Sequence, residues 1–287
     1  MQILKLIFSP FVAIFKFINT YFKTCVFLFI VALVLFSGDK VSNPNLTQIS
    51  LNGAIVDEKT VLDQIYEAMD DESIKGVLFD VDSPGGALAP SIAISDALRE
   101  LKAKKPVLAY ASGTMASGSY YASIWADKIY ANRGSFIGSI GVIMQGANIE
   151  ELANKIGIKT QTIKAGEFKE AGAFYRAWSK AEKDELQNLV NKSYELFYGD
   201  VAKARKLNLN DVDIWANARV FLANDALKLG LIDGIKSYRD AKKELEILSG
   251  VENPIWKERP VFDKFISNFT KESANLMFRI FFGNEVR

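Results

Sequence analysis

Gly76-Val-Leu-Phe-Asp-Val-Asp-Ser-Pro-Gly-Gly86 is the stretch of sequence that decides the fold. Its first part, Gly76–Val81, is a short and almost continuous apolar run, which is typical of a parallel strand buried on both faces. The Pro-Gly-Gly triplet that follows predicts a tight loop. Apolar residues at helical spacing then occupy Pro90–Ala103. A strand, a loop and a helix therefore follow one another, which is the repeating unit of an α/β domain.

The same unit recurs on both sides of this stretch. Strands that alternate with helices indicate an α/β domain with a largely parallel sheet. We predict one domain over residues 48–250, preceded by a polar linker at residues 39–47. Strands are predicted over Thr47–Ile55, Pro106–Ala111, Lys128–Ala131, Gly138–Met144 and Thr160–Ile163, and helices over Thr60–Asp70, Ser117–Ala126, Ile149–Ile156, Ser179–Leu207 and Ala223–Leu229.

The chain of 287 residues contains no histidine. This absence excludes a Ser-His-Asp triad, a Cys-His pair and a zinc site with imidazole ligands. The formal net charge of +1 gives no reason to expect a nucleic-acid partner. No metal or organic cofactor is expected, because the acidic pair Asp80 and Asp82 is better explained as the structural flank of a loop than as a cation site.

Residues 1–38 are expected to form a cytoplasmic N-terminus and a transmembrane helix. From Phe17 to Phe36 the chain is almost wholly apolar, interrupted by Lys23, and about 20 apolar residues span the core of a bilayer. Lysines precede this run and Asp39 follows it, which by the positive-inside rule keeps the N-terminus in the cytoplasm. The remaining chain would then lie on the extracytoplasmic side of a bacterial cytoplasmic membrane, with a single-pass topology.

A cleaved signal peptide is the alternative for this segment. No small-x-small cleavage site follows the apolar run, where Val34-Leu-Phe36 stands, and the basic region is long for a signal peptide. An uncleaved anchor is therefore favoured. The only cysteine, Cys25, falls inside the span, so the outer domain must be stabilised without an intramolecular disulfide.

The C-terminal tail, residues 251–287, is rich in phenylalanine and isoleucine among several charges. Two interpretations remain open. One is a helix docked on its own domain or on a neighbouring subunit, and the other is an amphipathic helix that lies on the membrane surface.

Two glycine-containing loops each end a predicted strand and could present backbone N–H groups to the same point. The first is Asp82-Ser-Pro-Gly-Gly86, although such a triplet also marks an ordinary turn. The second, Ser112–Gly118, joins a strand to a helix, which is the setting of a nucleophile elbow. Ser117 is the candidate nucleophile, with a helix N-cap as the alternative interpretation. The N–H groups of Gly86 and Gly118 could together hold an oxyanion.

Lys169 is the candidate general base, because a neutral lysine can activate a serine without histidine. It lies in the stretch Lys164-Ala-Gly-Glu-Phe-Lys-Glu170. This role requires burial, which disfavours the ammonium form, whereas most lysines are solvated surface charges. Glu167 and Glu170 would favour the charged form if they were close to it in space.

Taken together, these motifs resemble the signal peptide peptidase A (protease IV) family of membrane-anchored serine proteases in its short, single-domain form. The motifs are Asp82–Gly86, Met115–Tyr121, and Gly138–Val142 followed by Lys164–Lys169. The resemblance covers residues 48–245, and the N-terminal anchor agrees with it. Two positions depart from the family pattern: Ser119 stands where a second glycine is usual, and Ala173–Trp178 replaces a Ser-Pro-Phe-Arg run.

The resemblance implies a Clp protease/crotonase-like fold and a serine endopeptidase that uses a Ser–Lys dyad. Ser117 would be the nucleophile, Lys169 the general base, and Gly86 and Gly118 the oxyanion donors. Ser139 matches a serine that orients the lysine. The resemblance also implies a ring- or dome-shaped homo-oligomer at the membrane that cleaves residual signal peptides and other apolar peptide segments, without metal or cofactor.

Three alternatives to this function remain. A crotonase-like acyl-CoA enzyme would use the same two backbone donors without a serine, although a domain across the membrane from cytosolic CoA argues against it. A Ser–Lys protease of membrane scaffold proteins would differ mainly in its substrate. A catalytically silent anchored scaffold would keep the fold, and an acylating fluorophosphonate probe would then fail to label Ser117.

Overall fold

A computed structural model of the chain describes residues 16–17, 19–31 and 43–257. Residues 19–31 form helix α1, and no helix among the residues described is both long and apolar enough to cross a membrane. The predicted anchor, Phe17–Phe36, lies partly outside these residues, and the tail from 258 onward lies wholly outside them. Pro44–Lys257 forms one compact unit.

Strands and helices alternate through most of this compact unit. The strands are β1 (Leu46–Asn52), β2 (Gly76–Ser83), β3 (Val107–Ala116), β4 (Lys128–Ala131), β5 (Phe136–Gly138), β6 (Val220–Leu222) and β7 (Gly234–Ile235). The helices are α2 (Lys59–Asp70), α3 (Leu88–Lys104), α4 (Gly118–Ser123), α5 (Glu150–Lys155), α6 (Lys180–Arg205), α7 (Val212–Trp215), α8 (Ala223–Lys228) and α9 (Tyr238–Leu248), with 3-10 turns at Glu167–Glu170 and Leu209–Asp211.

One sheet joins the strands in the order β1-β2-β3-β4-β7, and every pair along this path is parallel. β5 pairs in parallel with the end of β3, and β6 joins β5 antiparallel. The predicted α/β class with a largely parallel sheet is therefore confirmed. Within the sheet, Val77, Leu78 and Phe79 of β2 are fully buried, as a continuous apolar run predicts for a strand covered on both faces.

The two faces of the sheet are covered by different helices. Helices α2, α3 and α4 contribute to the main core on one face, where Phe79 and Leu98 are fully buried. Helix α9 covers part of the other face over a smaller cluster that includes Leu78, Leu108 and Leu245. Because successive side chains of a strand point to opposite faces, Leu78 and Phe79 of β2 belong to different cores.

Two of the predicted strands are wrong. Only the first residue of the predicted strand Gly138–Met144 belongs to β5, because Gly138 and Ser139 have φ angles of 102° and 50° that turn the chain out of the sheet. The predicted strand Thr160–Ile163 has no regular structure and pairs with no strand in the described part of the chain. Its apolar residues do not enter a core, and Ile163 is fully exposed.

Helix α6 begins where the sequence predicts. The Ser179 hydroxyl accepts a hydrogen bond from the Glu182 N–H, and the Glu182 carboxylate accepts one from the Ser179 N–H, which forms a capping box. The last turns of the helix bury Phe197 and Val201. Leu189 in the first half is 51% exposed, so within residues 43–257 the apolar side chains of this helix are buried mainly toward its C-terminal end.

Replacing Leu98 with alanine should lower the free energy of unfolding by about 2–5 kcal/mol, because lost burial and the remaining cavity both destabilise a core. Ile247 on α9 is 76% exposed, so Ile247→Ala should change this free energy by less than about 0.5 kcal/mol. Urea unfolding of the full chain in detergent micelles, followed by tryptophan fluorescence, measures both values. Equal losses for the two substitutions would contradict the assigned core.

Candidate active site

Ser117 lies on a strained turn between strand β3 and helix α4. Its backbone angles are φ 54° and ψ −127°, a region that glycine enters freely and serine rarely. The Ser117 N–H donates to the Gly138 carbonyl at 2.7 Å, which fixes the turn to β5. Ser117 occupies the N-cap position of α4, but its hydroxyl makes no capping hydrogen bond, so helix capping does not occupy the hydroxyl. A strained strand-to-helix turn that carries a serine has the geometry of a nucleophile elbow.

The predicted oxyanion donors, Gly86 and Gly118, lie close together beside this turn. A β-carbon on Gly118 would lie 3.3 Å from the Gly86 nitrogen and 2.2 Å from the Ser91 Oγ, so only glycine fits at position 118. Within residues 43–257, neither glycine N–H donates a backbone or side-chain hydrogen bond. Two unused donors next to a serine are what an oxyanion hole requires.

The loop before α3 is held in place from two directions. Gly85 has a φ of 93°, and a β-carbon there would lie 2.6 Å from the Gly118 nitrogen, so the loop packs directly on the elbow. From the other direction, the Ile55 N–H donates to the Gly85 carbonyl at 2.9 Å, and the Ile55 carbonyl accepts from the Ala87 N–H at 2.8 Å. These bonds use the groups on either side of Gly86 and leave its own N–H available.

Ser139 is linked to the Ser117 turn through the preceding residue, Gly138. It directly follows Gly138, whose carbonyl accepts the Ser117 N–H, and its own N–H donates to the Arg219 carbonyl at 2.7 Å. The side chain is half-buried. Its hydroxyl forms no hydrogen bond in the part of the chain that the structure describes, so it is available for the predicted role of orienting an amine.

Lys169 differs from the other four predicted site residues in its surroundings. It lies in the 3-10 turn Glu167–Glu170, and its side chain is exposed. No hydrogen bond or ion pair joins its Nζ to Ser117 or to any other residue among 43–257. The described part of the chain therefore does not supply the burial that a lysine base requires.

Glu170, next to Lys169, is engaged by other side chains of the same segment. Its carboxylate accepts a hydrogen bond from the Tyr175 hydroxyl and forms an ion pair with Lys164 at 3.0 Å. Hydrogen bonds from Tyr175 and Lys164 lower the pKa of Glu170 to about 2. Its negative charge is therefore already stabilised by partners other than Lys169.

Arg176 connects the segment around Lys169 to the start of α6. Its guanidinium donates to both carboxylate oxygens of Glu182, at 2.6 and 2.8 Å, in the bidentate geometry of strong charge-assisted pairs. Glu182 is 4% exposed, and bonds from Arg176 and from the Ser179 N–H lower its pKa to about 2. One carboxylate thus both caps a helix and anchors a loop.

The chain between Ser139 and Trp178 exposes an unusual number of large apolar side chains. Ile143 is 82% exposed, and the others follow along the whole segment. They are Met144, Ile149, Leu152, Ile156, Ile158, Ile163, Phe168 and Phe174. Exposed apolar surface on this scale is typical of protein–protein or membrane contacts. Lys169 is therefore carried by a segment that is suited to being covered by a partner.

No group of histidine, cysteine, aspartate or glutamate within residues 16–17, 19–31 and 43–257 is arranged to hold a metal ion. The functional groups that the fold does bring together are a hydroxyl, two backbone N–H groups and a second hydroxyl. Such a set can stabilise a tetrahedral oxyanion, and it requires an added base for proton transfer.

A largely parallel α/β domain with a serine on a strained strand-to-helix turn is typical of hydrolases that use a serine nucleophile. The family model of Peptidase family S49 matches residues 99–252, which is more than half of the chain. The chain belongs to this peptidase family. This membership confirms the family resemblance drawn from the three motifs and the Clp-like assignment of the domain.

Relatives cover different shares of the chain. Protein MJ0651 of Methanocaldococcus jannaschii is 42% identical over 64% of this chain and 59% of its own length. A relative from Enterococcus faecium, which carries the name of a signal peptide peptidase, SppA, is 33% identical over 71% of this chain and 64% of its own length. Protease 4 of Haemophilus influenzae is 30% identical over 82% of this chain and 39% of its own length. The chain thus spans less than two thirds of each of these relatives.

Ser91 is a site residue that the sequence analysis missed. It is fully buried on α3, where its hydroxyl donates to the Ala87 carbonyl and leaves no room for a side chain at Gly118. A signal was available, because Ser91 and Ser95 are spaced as one helix face and both fall on the face that carries Ile94 and Leu98. Small polar residues on an apolar face indicate close approach of another backbone.

Ser117→Gly should make the protein more stable than Ser117→Ala by about 1 kcal/mol. The φ of 54° strains any residue that has a β-carbon, and this strain exceeds the extra conformational entropy that glycine loses on folding. Neither variant carries the hydroxyl, so both should lack any activity that depends on it. Urea unfolding of the two full-length variants measures the difference. A glycine variant that is less stable than the alanine variant would show that the turn is not strained.

The folded protein should lose stability as the pH falls from about 4.5 to about 2, because the pKa of Glu182 is lowered from 4.5 to about 2 in the fold. Its contribution is complete above the unfolded-state pKa and disappears as the folded-state carboxylate is protonated. Glu182→Gln should therefore flatten the dependence of unfolding free energy on pH in this window. Glu185→Gln, an exposed carboxylate on the same helix, is the matched control, and an equal flattening by both would contradict the assignment.

Proposed function

We propose that this protein is a membrane-anchored serine endopeptidase that uses a Ser117–Lys169 dyad. The observation that carries the proposal is the strained Ser117 turn with the unused N–H groups of Gly86 and Gly118 beside it. A fold keeps a strained backbone where surrounding structure enforces it, and such sites are commonly functional. Membership of a peptidase family supports peptide-bond hydrolysis as the reaction.

The proposed reaction is acyl transfer through a covalent intermediate. The neutral Lys169 amine accepts the Ser117 proton while Oγ attacks the peptide carbonyl. The N–H groups of Gly86 and Gly118 hold the oxyanion, and each such donor contributes about 2.7–4 kcal/mol to the transition state. Lys169 then protonates the leaving amine. Water attacks the acyl-enzyme with Lys169 again as base, and Ser139 orients the amine throughout.

We place the base for each site on a neighbouring protomer. Lys169 is exposed in its own protomer, and the segment that carries it also exposes Ile143 and Ile163. Burial of this segment by a second copy would remove both the apolar side chains and the amine from water. Because the serine surface and the lysine surface differ, the contact is heterologous and can repeat around a closed ring. This arrangement supports the expected homo-oligomer.

Apolar peptide segments, including residual signal peptides, are the proposed substrates. Val56 follows Ile55, which is bonded to the glycine loop, and it is 78% exposed. Phe136 on β5 is 51% exposed and lies two residues before Gly138, the acceptor of the Ser117 N–H. Exposed apolar side chains on elements that adjoin the nucleophile favour an apolar chain over a charged one. The name of the Enterococcus faecium relative agrees with this choice.

The proposal also places the catalytic domain on the extracytoplasmic side of a bacterial cytoplasmic membrane. The support is the apolar run Phe17–Phe36 with lysines before it and Asp39 after it, to which the positive-inside rule assigns a cytoplasmic N-terminus. An anchor of this kind would hold the site close to the bilayer, where apolar peptide segments accumulate.

Ser117→Ala should abolish cleavage of an apolar fluorogenic peptide, and Lys169→Ala should lower kcat about 10²–10⁴-fold through loss of the base. The measurements use the full-length chain in micelles, with size-exclusion chromatography to verify assembly. A fluorophosphonate probe should label Ser117 of the wild type. A folded and assembled wild type that neither cleaves peptide nor reacts with the probe would contradict the peptidase and favour the silent scaffold.

Co-expressed Ser117→Ala and Lys169→Ala chains should recover about a quarter of wild-type activity if the dyad forms between protomers, because half of the chains keep the serine and half of their neighbours keep the lysine. Each variant expressed alone is the control. Mixed oligomers that remain inactive would place the base on the same protomer as the nucleophile.

A further inference from the structure

The pairing of β2 with β3 is interrupted just before the elbow. Val81 pairs with Ala111, and the ladder resumes with Ser83 opposite Met115. Three residues of β3, 112–114, therefore lie opposite a single residue of β2, Asp82. This bulge lengthens β3 relative to its neighbour, and a bulge re-aims the residues that follow it. The orientation of the Ser117 turn thus depends on how firmly residues 112–114 are held.

The Asp82 carboxylate holds the bulge from one side. Its Oδ1 accepts a hydrogen bond from the Thr114 N–H at 2.9 Å. A β-carbon on Gly113 would lie 2.1 Å from the same oxygen, so the carboxylate is seated against the backbone in a position that only glycine allows. The Ser112 hydroxyl adds a longer bond to the Val81 carbonyl at 3.3 Å.

The Ser119 hydroxyl holds the same junction from inside the protein. Ser119 is fully buried. Its Oγ accepts a hydrogen bond from the Ala116 N–H at 2.9 Å and donates to the Ser83 carbonyl at 2.7 Å, with the Ala116 carbonyl at 2.9 Å as a second acceptor. A hydroxyl has one hydrogen, so it donates to one acceptor at a time. The bond from Ala116 and the bond to Ser83 connect the ends of β3 and β2 directly.

We propose that Ser119 and Asp82 are positioning residues that set the geometry of the oxyanion donors. Ser83 precedes the loop of Gly86, and Ala116 precedes Ser117 and Gly118, so the Ser119 hydroxyl joins the two chain segments that carry the donors. Donors must lie 2.7–3.1 Å from the oxyanion. A small displacement of the donors therefore weakens binding of the transition state more than binding of the substrate. This inference rests on the proposed peptidase function, and it accounts for the serine at a position where the family resemblance leads us to expect glycine.

Ser119→Ala should lower kcat about 10- to 100-fold and leave KM for an apolar peptide unchanged, because the hydroxyl acts on the transition state alone. Affinity for a peptide aldehyde, whose hemiacetal oxygen occupies the oxyanion position, should weaken by a similar factor. Ser123→Ala is the matched control, since Ser123 is a fully buried serine of the same helix whose hydroxyl donates within that helix to the Ser119 carbonyl at 2.8 Å. It should lose stability and keep wild-type kcat.

Asp82 provides a second test, because its side chain is exposed and its substitution should leave the fold intact. Asp82→Ala should lower kcat about 10-fold, and Asp82→Asn should restore it, because the amide keeps the Oδ1 acceptor without the charge. The proposal is overturned if Ser119→Ala matches Ser123→Ala in kcat and aldehyde affinity, or if Asp82→Asn is as slow as Asp82→Ala. A wild type that fails to react with fluorophosphonate would instead overturn the peptidase function itself.

Discussion

The hydrogen bond from the Ser117 N–H to the Gly138 carbonyl is the interaction on which the site depends. It holds a serine at a φ of 54°, a conformation that costs about 1–3 kcal/mol in a residue with a β-carbon. The fold can sustain this strain because both residues are continuous with a parallel sheet whose central strands, β2 and β3, are largely buried. Strands β3 and β5 fix the two ends of the bond, so relaxing the turn would require the sheet edge to move.

Histidine is absent from the chain, and the proposed dyad divides the tasks of catalysis between two parts of the fold in a way that suits this absence. The sheet edge supplies a hydroxyl and two backbone donors from loops that are packed on one another. The segment from Ser139 to Trp178 supplies the amine on an exposed turn that Arg176 ties to α6 through Glu182. In the proposed dyad, the half that carries Ser117 lies on loops that pack against one another, and the half that carries Lys169 lies on an exposed surface.

The sequence predicted those features that depend on neighbouring residues. The apolar run of β2, the serine turn and the start of α6 at Ser179 are all indicated by local spacing. The predicted strand Thr160–Ile163 failed because a strand needs a partner that periodicity does not supply. The short strands β6 and β7 and the contact of Asp82 with Gly113 connect residues far apart in the chain. Whether Lys169 is buried is likewise decided by distant surfaces, and local sequence carries no signal for it.

Under the proposed dyad, the exposure of Lys169 decides when the protein becomes active. A newly synthesised copy of the proposed membrane-anchored peptidase would have its nucleophile formed, whereas residues 43–257 of the same copy bring no proton acceptor within hydrogen-bonding distance of the Ser117 hydroxyl. Under the proposed arrangement such a copy stays inactive until the density of copies in the membrane is high enough for it to bind another copy. Protection of the cell from stray proteolysis would then be governed by how closely the copies are crowded in the plane of the bilayer.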